Sequence, residues 1–375
     1  MNKKEYGQFF SKNKDYILKN MIVEMPLDTC NNIFVDPFAG EKDLLNWISM
    51  SCRRKGMPIE AYDIDPQIDG VESRDSLLCP PDLKGKYIIT NPPYLAKNKT
   101  KNKDLFFAYD TNDLYKASLK MIMGYDIFAK SYCRDGCEGG IIIVPLNFFS
   151  DRDWKLRRDF LEKYKVISLN IFEERVFKDT SYTVCAFNFK KREKDELQRF
   201  RIRIYPDYLT NSQVRTESGG TGYHLRPTLS DNNNYTIGYQ FNELIRDKSK
   251  KVKVSRLVEN VELGDNFISK LYLRSIDTGS MEGRIGLSIK NEPFYGKIST
   301  RTSATIVLSE VFSEEEQLIV VKKFNDILEK YRKKYYSLFL TNFRNSTSHY
   351  ARKRIDFKMA FDLISHISKN YLIDK

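Results

Sequence analysis

Residues 91–94 read Asn-Pro-Pro-Tyr, directly after the short β-rich run KYIIT at 86–90. Asn91, Pro92, Pro93 and Tyr94 can neither extend a sheet nor make a flexible loop, because proline fixes φ and lacks an N–H. A stiff turn at the carboxyl end of a strand holds a polar group motionless. A simple strand terminator carrying a surface tyrosine would look the same in isolation. Three other strand ends carry polar groups. DPFAG at 36–40 is a tight turn whose Gly40 lets backbone N–H groups approach a ligand, with the positive end of the following helix aimed there. AYDID at 61–65 ends in acids that can accept hydrogen bonds from ribose hydroxyls, Asp63 first and Asp65 in reserve. RDSLL at 74–78 offers Asp75 to an adenine amino group. The candidate binding set is Asp36, Pro37, Phe38, Ala39, Gly40, Asp63, Ile64, Asp75 and Ser76.

The elements that must position these groups are strands alternating with helices. NIFVDPFAG (32–40), PIEAYDID (58–65), KYIIT (86–90), GGIIIVPLNFF (139–149), KVISLNIF (165–172) and SYTVCAFNFK (181–190) read as strands. Segments 42–56 and 113–133 read as helices. This rhythm predicts an α/β fold with a doubly wound, mostly parallel sheet, whose ligands sit beyond the strands' carboxyl ends. RFRIRIY (199–205) adds another strand, and the rhythm changes near Thr210. The expected domains are therefore 1–209, holding the candidate site, and 210–375, of mixed α/β character. In the second, Ser313 and Glu316 make a capping box for a helix over 314–338, with an apolar stripe of Val320, Phe324, Ile327, Leu328, Tyr331 and Tyr335.

Charge separates the two halves further. The chain carries 62 basic and 50 acidic side chains, a net +12, and residues 210–375 hold +8 of it. That bias favours a polyanionic partner, nucleic acid before membrane. The N-terminal MNKKEYGQFFSKNKDY has no apolar signal-peptide core and no long apolar run follows, so a cytoplasmic protein is expected. Six scattered cysteines form neither a disulfide framework nor a zinc pattern, and no metal is expected.

In motif content and order the chain resembles the S-adenosylmethionine-dependent DNA adenine-N6 methyltransferases, over roughly residues 1–190. NPPY matches that family's catalytic motif and DPFAG its cofactor motif. YGQFF, supplying Tyr6, Gly7, Gln8, Phe9 and Phe10, matches its N-terminal cofactor segment. VPLNFFSD (144–151) and VFKDTSYTV (176–184) match later motifs in the expected order, and the separate C-terminal region is similar to the γ-type arrangement. One position departs: Lys42 stands where the cofactor loop usually has a second glycine, which leaves Glu41 and Lys42 as undecided contacts.

The resemblance implies a class I, Rossmann-like catalytic domain, S-adenosylmethionine as cofactor and double-stranded DNA as partner. Residues 210–375 then read the target. Adenine's exocyclic nitrogen is a poor nucleophile, and the Asn91 oxygen with the Pro92 carbonyl would localise its lone pair. The base must leave the duplex, costing a few kcal/mol, to stack on Tyr94 with Phe177 as the second aromatic wall. Lys97 and Lys99 would lie beside the extruded nucleotide. Arg352, Lys353 and Arg354, within a basic and aromatic stretch, would hold phosphates. RNA adenine-N6 methylation and a non-catalytic DNA-binding specificity subunit are the rival readings. A restriction endonuclease as a separate partner and a monomeric or dimeric state are both compatible with the sequence.

Overall fold

An uninterrupted apolar run such as IIIV suits a strand covered on both faces, and in the strand Gly139–Pro145 every residue is buried. The computed structural model describes residues 13–21, 32–51, 58–177, 182–193, 199–205, 234–236, 252–277, 284–335, 337–343 and 352–372. Nine strands among them form one sheet: β1 (Phe34–Asp36), β2 (Ile59–Asp63), β3 (Glu72–Ser73), β4 (Tyr87–Thr90), β5 (Gly139–Pro145), β6 (Tyr164–Phe172), β7 (Val184–Lys191), β8 (Arg199–Tyr205) and β9 (Asn234–Thr236). Their spatial order is β3-β2-β1-β4-β5-β7-β6-β8-β9. Strands β1 to β5 pair in parallel, and β7 runs antiparallel to both its neighbours.

The order grows outward from β1 in two directions, through β2 and β3 on one side and β4 and β5 on the other. Right-handed crossovers leading in opposite directions place their connections on opposite faces, which makes the sheet doubly wound, as the sequence predicts. The direction switches between β1 and β4, opening a crevice at their carboxyl ends. There the Thr90 hydroxyl donates to Asp36 Oδ1 at 2.6 Å, tying the two strand ends together.

Among the described residues five helices accompany this sheet: α1 (Lys14–Ile17), α2 (Asp43–Ser51), α3 (Asp104–Ala108), α4 (Leu114–Ile122) and α5 (Trp154–Lys163). The helix expected to run from 113 to 133 stops at Ile122. Gly124 takes φ +82°, and a Cβ there would meet the Arg134 carbonyl oxygen at 2.1 Å. Behind the crevice an aromatic cluster fixes the segment after β5. Phe187 of β7 stacks on Phe148 at 5.6 Å and meets Phe149 and Phe160 edge-on at 5.3 and 5.6 Å.

A second apolar cluster lies between Val252 and Leu372. Strands β10 (Val254–Arg256), β11 (Phe267–Arg274), β12 (Gly286–Ile289) and β13 (Ser303–Leu308) form an antiparallel sheet in the order β10-β13-β11-β12. Helices α6 (Glu314–Tyr335) and α7 (Phe357–Leu372) share its core, and β14 (Thr341–Phe343) pairs with β15 (Arg352–Arg354). The capping box starts α6: the Ser313 N–H donates to Glu316 Oε2 at 2.8 Å, and the Glu316 N–H to Ser313 Oγ at 3.2 Å.

The basic run at β15 is placed differently from its sequence reading. Arg352, Lys353 and Arg354 are half-buried. Arg352 Nε donates to the Asp277 carbonyl oxygen at 3.0 Å, and Arg354 pairs with Asp356 at 3.5 Å. Lys353 Nζ lies 3.2 Å from the carboxylate of Glu173, itself 2% exposed at the end of β6. Lys353 is thus paired across to the first cluster, Arg354 with a neighbour in sequence, and Arg352 with a backbone carbonyl; an acid as distant in sequence as Glu173 is invisible to a count of basic residues.

Candidate active site

The turn after β1 is held by its own polar groups. Asp36 Oδ1 accepts the Phe38 N–H at 3.0 Å as well as the Thr90 hydroxyl, and the Ala39 N–H donates to the Tyr62 carbonyl oxygen at 2.8 Å. Gly40, at φ +51°, turns its N–H onto Asp63 Oδ2 at 2.9 Å, while the Asp65 N–H reaches Asp63 Oδ1 at 3.0 Å. Each Asp63 oxygen thus accepts a backbone N–H, and a carboxylate oxygen has lone pairs for a second donor such as a hydroxyl. Asp75 Oδ1 accepts the N–H groups of Leu77 and Leu78 at 3.0 and 3.2 Å, and Ser76 Oγ donates to the Pro37 carbonyl oxygen at 2.8 Å. The third strand end is thereby pinned to the first.

These turns open on one cleft, with about 850 Å³ of empty space counting the solvent at its mouth. Its lining comes from the β1 turn (Asp36, Phe38, Ala39, Gly40, Glu41, Asp43, Leu44), the β2 end (Asp63, Ile64) and the β3 end (Arg74, Asp75, Ser76, Leu77). Asn91 and Pro93 follow β4, and Leu105 and Leu114 come from α3 and α4. The cleft is acidic inside a basic protein: five carboxyl residues line it against one arginine. Arg74 is engaged with Glu72 at 2.8 Å and lies over the Tyr62 ring, and Asp43 is paired with Lys14 at 2.8 Å. Asp36 is 1% exposed; burial pushes its carboxyl up to about 7, with a further rise from Asp63, against lowering by the Thr90 and Phe38 hydrogen bonds.

Lys42 adopts the left-handed conformation a glycine favours, φ +58°, and sends Nζ to the Asp69 carbonyl oxygen at 3.2 Å, while Glu41 joins the cleft lining. A side chain in that region carries a steric cost of about 1–2 kcal/mol. Lys42→Gly is expected to stabilise the protein by roughly 1 kcal/mol. A urea midpoint that falls in this variant would refute the strain.

Asn91 is 9% exposed and lines the cleft. Tyr94 is placed otherwise than a base-stacking wall requires. It is 3% exposed, its ring lies edge-on to Tyr115 at 6.4 Å and Tyr182 at 5.8 Å, and burial raises its hydroxyl pKa well above the usual value. That hydroxyl stands against Asn91 Oδ1 and 2.8 Å from the Ile143 carbonyl oxygen, its single proton serving one at a time. In this arrangement Tyr94 positions Asn91.

Behind Tyr94 lies a polar cluster the sequence reading did not find. Tyr182 donates to Asp113 at 3.1 Å, and Tyr115 and Lys116 both reach Asp153 at 2.5 Å. Burial lifts the Asp113 carboxyl to about 6, against lowering by Tyr182 and Lys116. Nothing in the spacing of residues 113, 153 and 182 signals this meeting. Leu105, Leu114 and Arg74 were likewise missed, although Arg74 adjoins Asp75. Phe177 is buried at 6% exposure. Lys97 and Lys99 sit in a 3-10 turn, with Lys97 Nζ 3.5 Å over Phe107 and Lys99 Nζ 5.9 Å from the Tyr182 ring. Tyr6, Gly7, Gln8, Phe9 and Phe10 lie outside the described residues. Among the described residues no helix is long and apolar enough to cross a membrane.

No family model and no curated protein matches the chain. Similar solved structures include a methyltransferase subunit of a type I restriction-modification system from Streptococcus thermophilus, at 14% identity and a TM-score of 0.37 over 53% of this chain. A protein from Listeria monocytogenes, described as a class I S-adenosylmethionine-dependent methyltransferase, aligns at 14% identity and a TM-score of 0.40 over 52% of this chain. A third, from Vibrio vulnificus and described as a modification subunit of a type I restriction enzyme, aligns at 13% identity and a TM-score of 0.40 over 54%. The chain spans about half the length of the first and third, 47% and 48%, and 66% of the second.

Proposed function

We propose that this chain is a site-specific DNA methyltransferase, transferring a methyl group from S-adenosylmethionine to N6 of an adenine turned out of duplex DNA. One observation carries the reading: the strand-end segments after β1, β2, β3 and β4 open on a single acidic cleft that Asn91 also lines. The lining fits the cofactor's parts. Asp63 offers carboxylate lone pairs to ribose hydroxyls. Ile64, Leu77, Leu105 and Pro93 give apolar surface to a purine, and the excess of carboxyl groups suits a cationic ligand.

When bound, the cofactor supplies a methyl already activated on sulfonium, so transfer needs alignment more than acid–base work. Asn91 Oδ1 and the Pro92 carbonyl accept the two amino N–H groups and draw the nitrogen's lone pair toward the methyl. Pro92 and Pro93 stiffen the turn, and the Tyr94 hydroxyl orients Asn91. The proposed division of the chain is 1–209 for catalysis and 210–375 for reading the target.

The test is to express the chain in a host lacking adenine methylation, sequence its DNA for modified adenines, and offer the purified protein duplex DNA or RNA with a labelled methyl donor. N6-methyladenine at one recurring sequence is expected. Label entering structured RNA but not duplex DNA would overturn the DNA assignment.

A further inference from the structure

We propose, resting on the cofactor reading above, that Asp36 is the residue by which the cleft distinguishes the charged methyl donor from its neutral product. Asp36 ends β1, is 1% exposed and lines the cleft. Its Oδ1 is fixed from two sides, by the Phe38 N–H at 3.0 Å and the Thr90 hydroxyl at 2.6 Å. Thr90 immediately precedes Asn91, so this carboxyl is bonded to the strand end that presents the amino acceptor. The methyl must be delivered there, and the donor's positive sulfur must come with it.

The charged neighbour that acts on Asp36 is a second carboxylate, Asp63, whose sign opposes ionisation. A buried carboxylate facing a like charge is held neutral up to a pH of about 7. A sulfonium in the cleft supplies the missing countercharge and favours the ionised form. The thioether product supplies none, and leaves either a protonated Asp36 or a buried charge without its counterion. Donor binding therefore expels a proton below neutrality, and product binding does not. Loss of the sulfur's charge at transfer weakens the cleft's hold on what has to leave.

The other charged groups on the cleft also act on the charge at sulfur, and Asp36→Asn keeps all of them, so the comparison with that variant isolates the share of Asp36. Those groups are Asp63 on β2, Asp75 after β3, Glu41 in the β1 turn, Asp43 paired with Lys14, and Arg74 paired with Glu72. The amino acid part is common to donor and product. The ratio of product Kd to donor Kd consequently isolates the charge on sulfur. Below about pH 7 the free protein carries a proton on Asp36 that the donor must displace, so the ratio falls as pH falls, by at most about tenfold per unit, and levels off above it.

Calorimetry on the full chain between pH 5.5 and 8 tests this, using S-adenosylhomocysteine as product, and S-adenosylmethionine and sinefungin, which carries a protonated amine near the sulfur's place, as cations. In the native protein the ratio should climb to a plateau near pH 7. Titrations at pH 6.5 in two buffers of different ionisation enthalpy should show proton release with the cations alone. Asp36→Asn keeps an oxygen for Phe38 and Thr90, and should flatten the profile and lower the plateau about tenfold, the equivalent of one pKa unit. Thr90→Val withdraws a hydrogen bond from the carboxylate and should move the midpoint upward, while Thr90→Ser leaves it in place. A pH-independent ratio in the native protein overturns the proposal, as does an unchanged ratio in a folded Asp36→Asn. If Asp36→Asn does not fold, the native pH profile and proton release decide. Failure of all three ligands to bind instead overturns the cofactor reading itself.

Discussion

Asn91→Ala is expected to lower the single-turnover methyl-transfer rate about 10²–10³-fold while leaving cofactor and duplex affinity within about twofold, as when one preorganised transition-state group is removed elsewhere. The expectation follows from where the amide sits. Asn91 follows β4 and lines the cleft, nearly buried, on a backbone stiffened by Pro92 and Pro93. An alanine there removes an acceptor and leaves Asp63, Asp75 and the β1 turn in place. Tyr94→Phe makes the complementary test. It keeps the ring edge-on to Tyr115 and Tyr182 and removes only the hydroxyl against Asn91 and Ile143. A rate loss of about tenfold and a stability loss of about 1–2 kcal/mol are expected from the orphaned partners. If Tyr94 instead stacks on the base, Tyr94→Phe is silent and Tyr94→Ala weakens duplex binding. Turnover near the native level in Asn91→Ala would end the catalytic assignment.

Much of the fold was legible because it rests on local patterns. Apolar runs such as IIIV mark strands covered on both faces, and each run that became β1, β2, β4 or β5 ends in a residue unable to continue a ladder or disposed to turn. The cleft was legible for the same reason, since ligands in a switched parallel sheet lie outside the strand ends. What the sequence does not show is mostly tertiary. Tyr94 follows two prolines and looks like an exposed ring; its burial depends on Tyr115 and Tyr182, which no local pattern connects to it. Arg352, Lys353 and Arg354 look like a phosphate-binding run until Glu173, Asp277 and Asp356 are beside them. β3 has two residues, too few for any periodicity. Lys42 shows the converse case, in which a left-handed backbone is occupied by a residue whose type argues against it.

Arg157→Met is expected to destabilise the protein by about 3–5 kcal/mol, the usual cost of removing one partner from a buried ion pair. Arg157 on α5 is 1% exposed, and its Nη1 donates to the Phe149 and Ser150 carbonyl oxygens at 2.6 and 2.5 Å. Nη2 donates to Asp151 Oδ1 at 2.9 Å, and the Asp151 side chain is 2% exposed. The guanidinium thus ties down the turn that leaves β5, the strand whose Ile143 carbonyl meets Tyr94. The same turn meets the C-terminal region, where the Asp151 N–H donates to the Phe339 carbonyl oxygen at 3.2 Å. Methionine fills much of the arginine's volume, so the loss measures charge and hydrogen bonding more than a cavity. Adding Asp151→Asn to Arg157→Met removes the stranded carboxylate and should recover part of the loss, a coupling that a double-mutant cycle in urea reads directly. A loss under about 1 kcal/mol, or strictly additive effects of the two changes, would show that the turn is held by its aromatic packing on Phe187 and not by the ion pair.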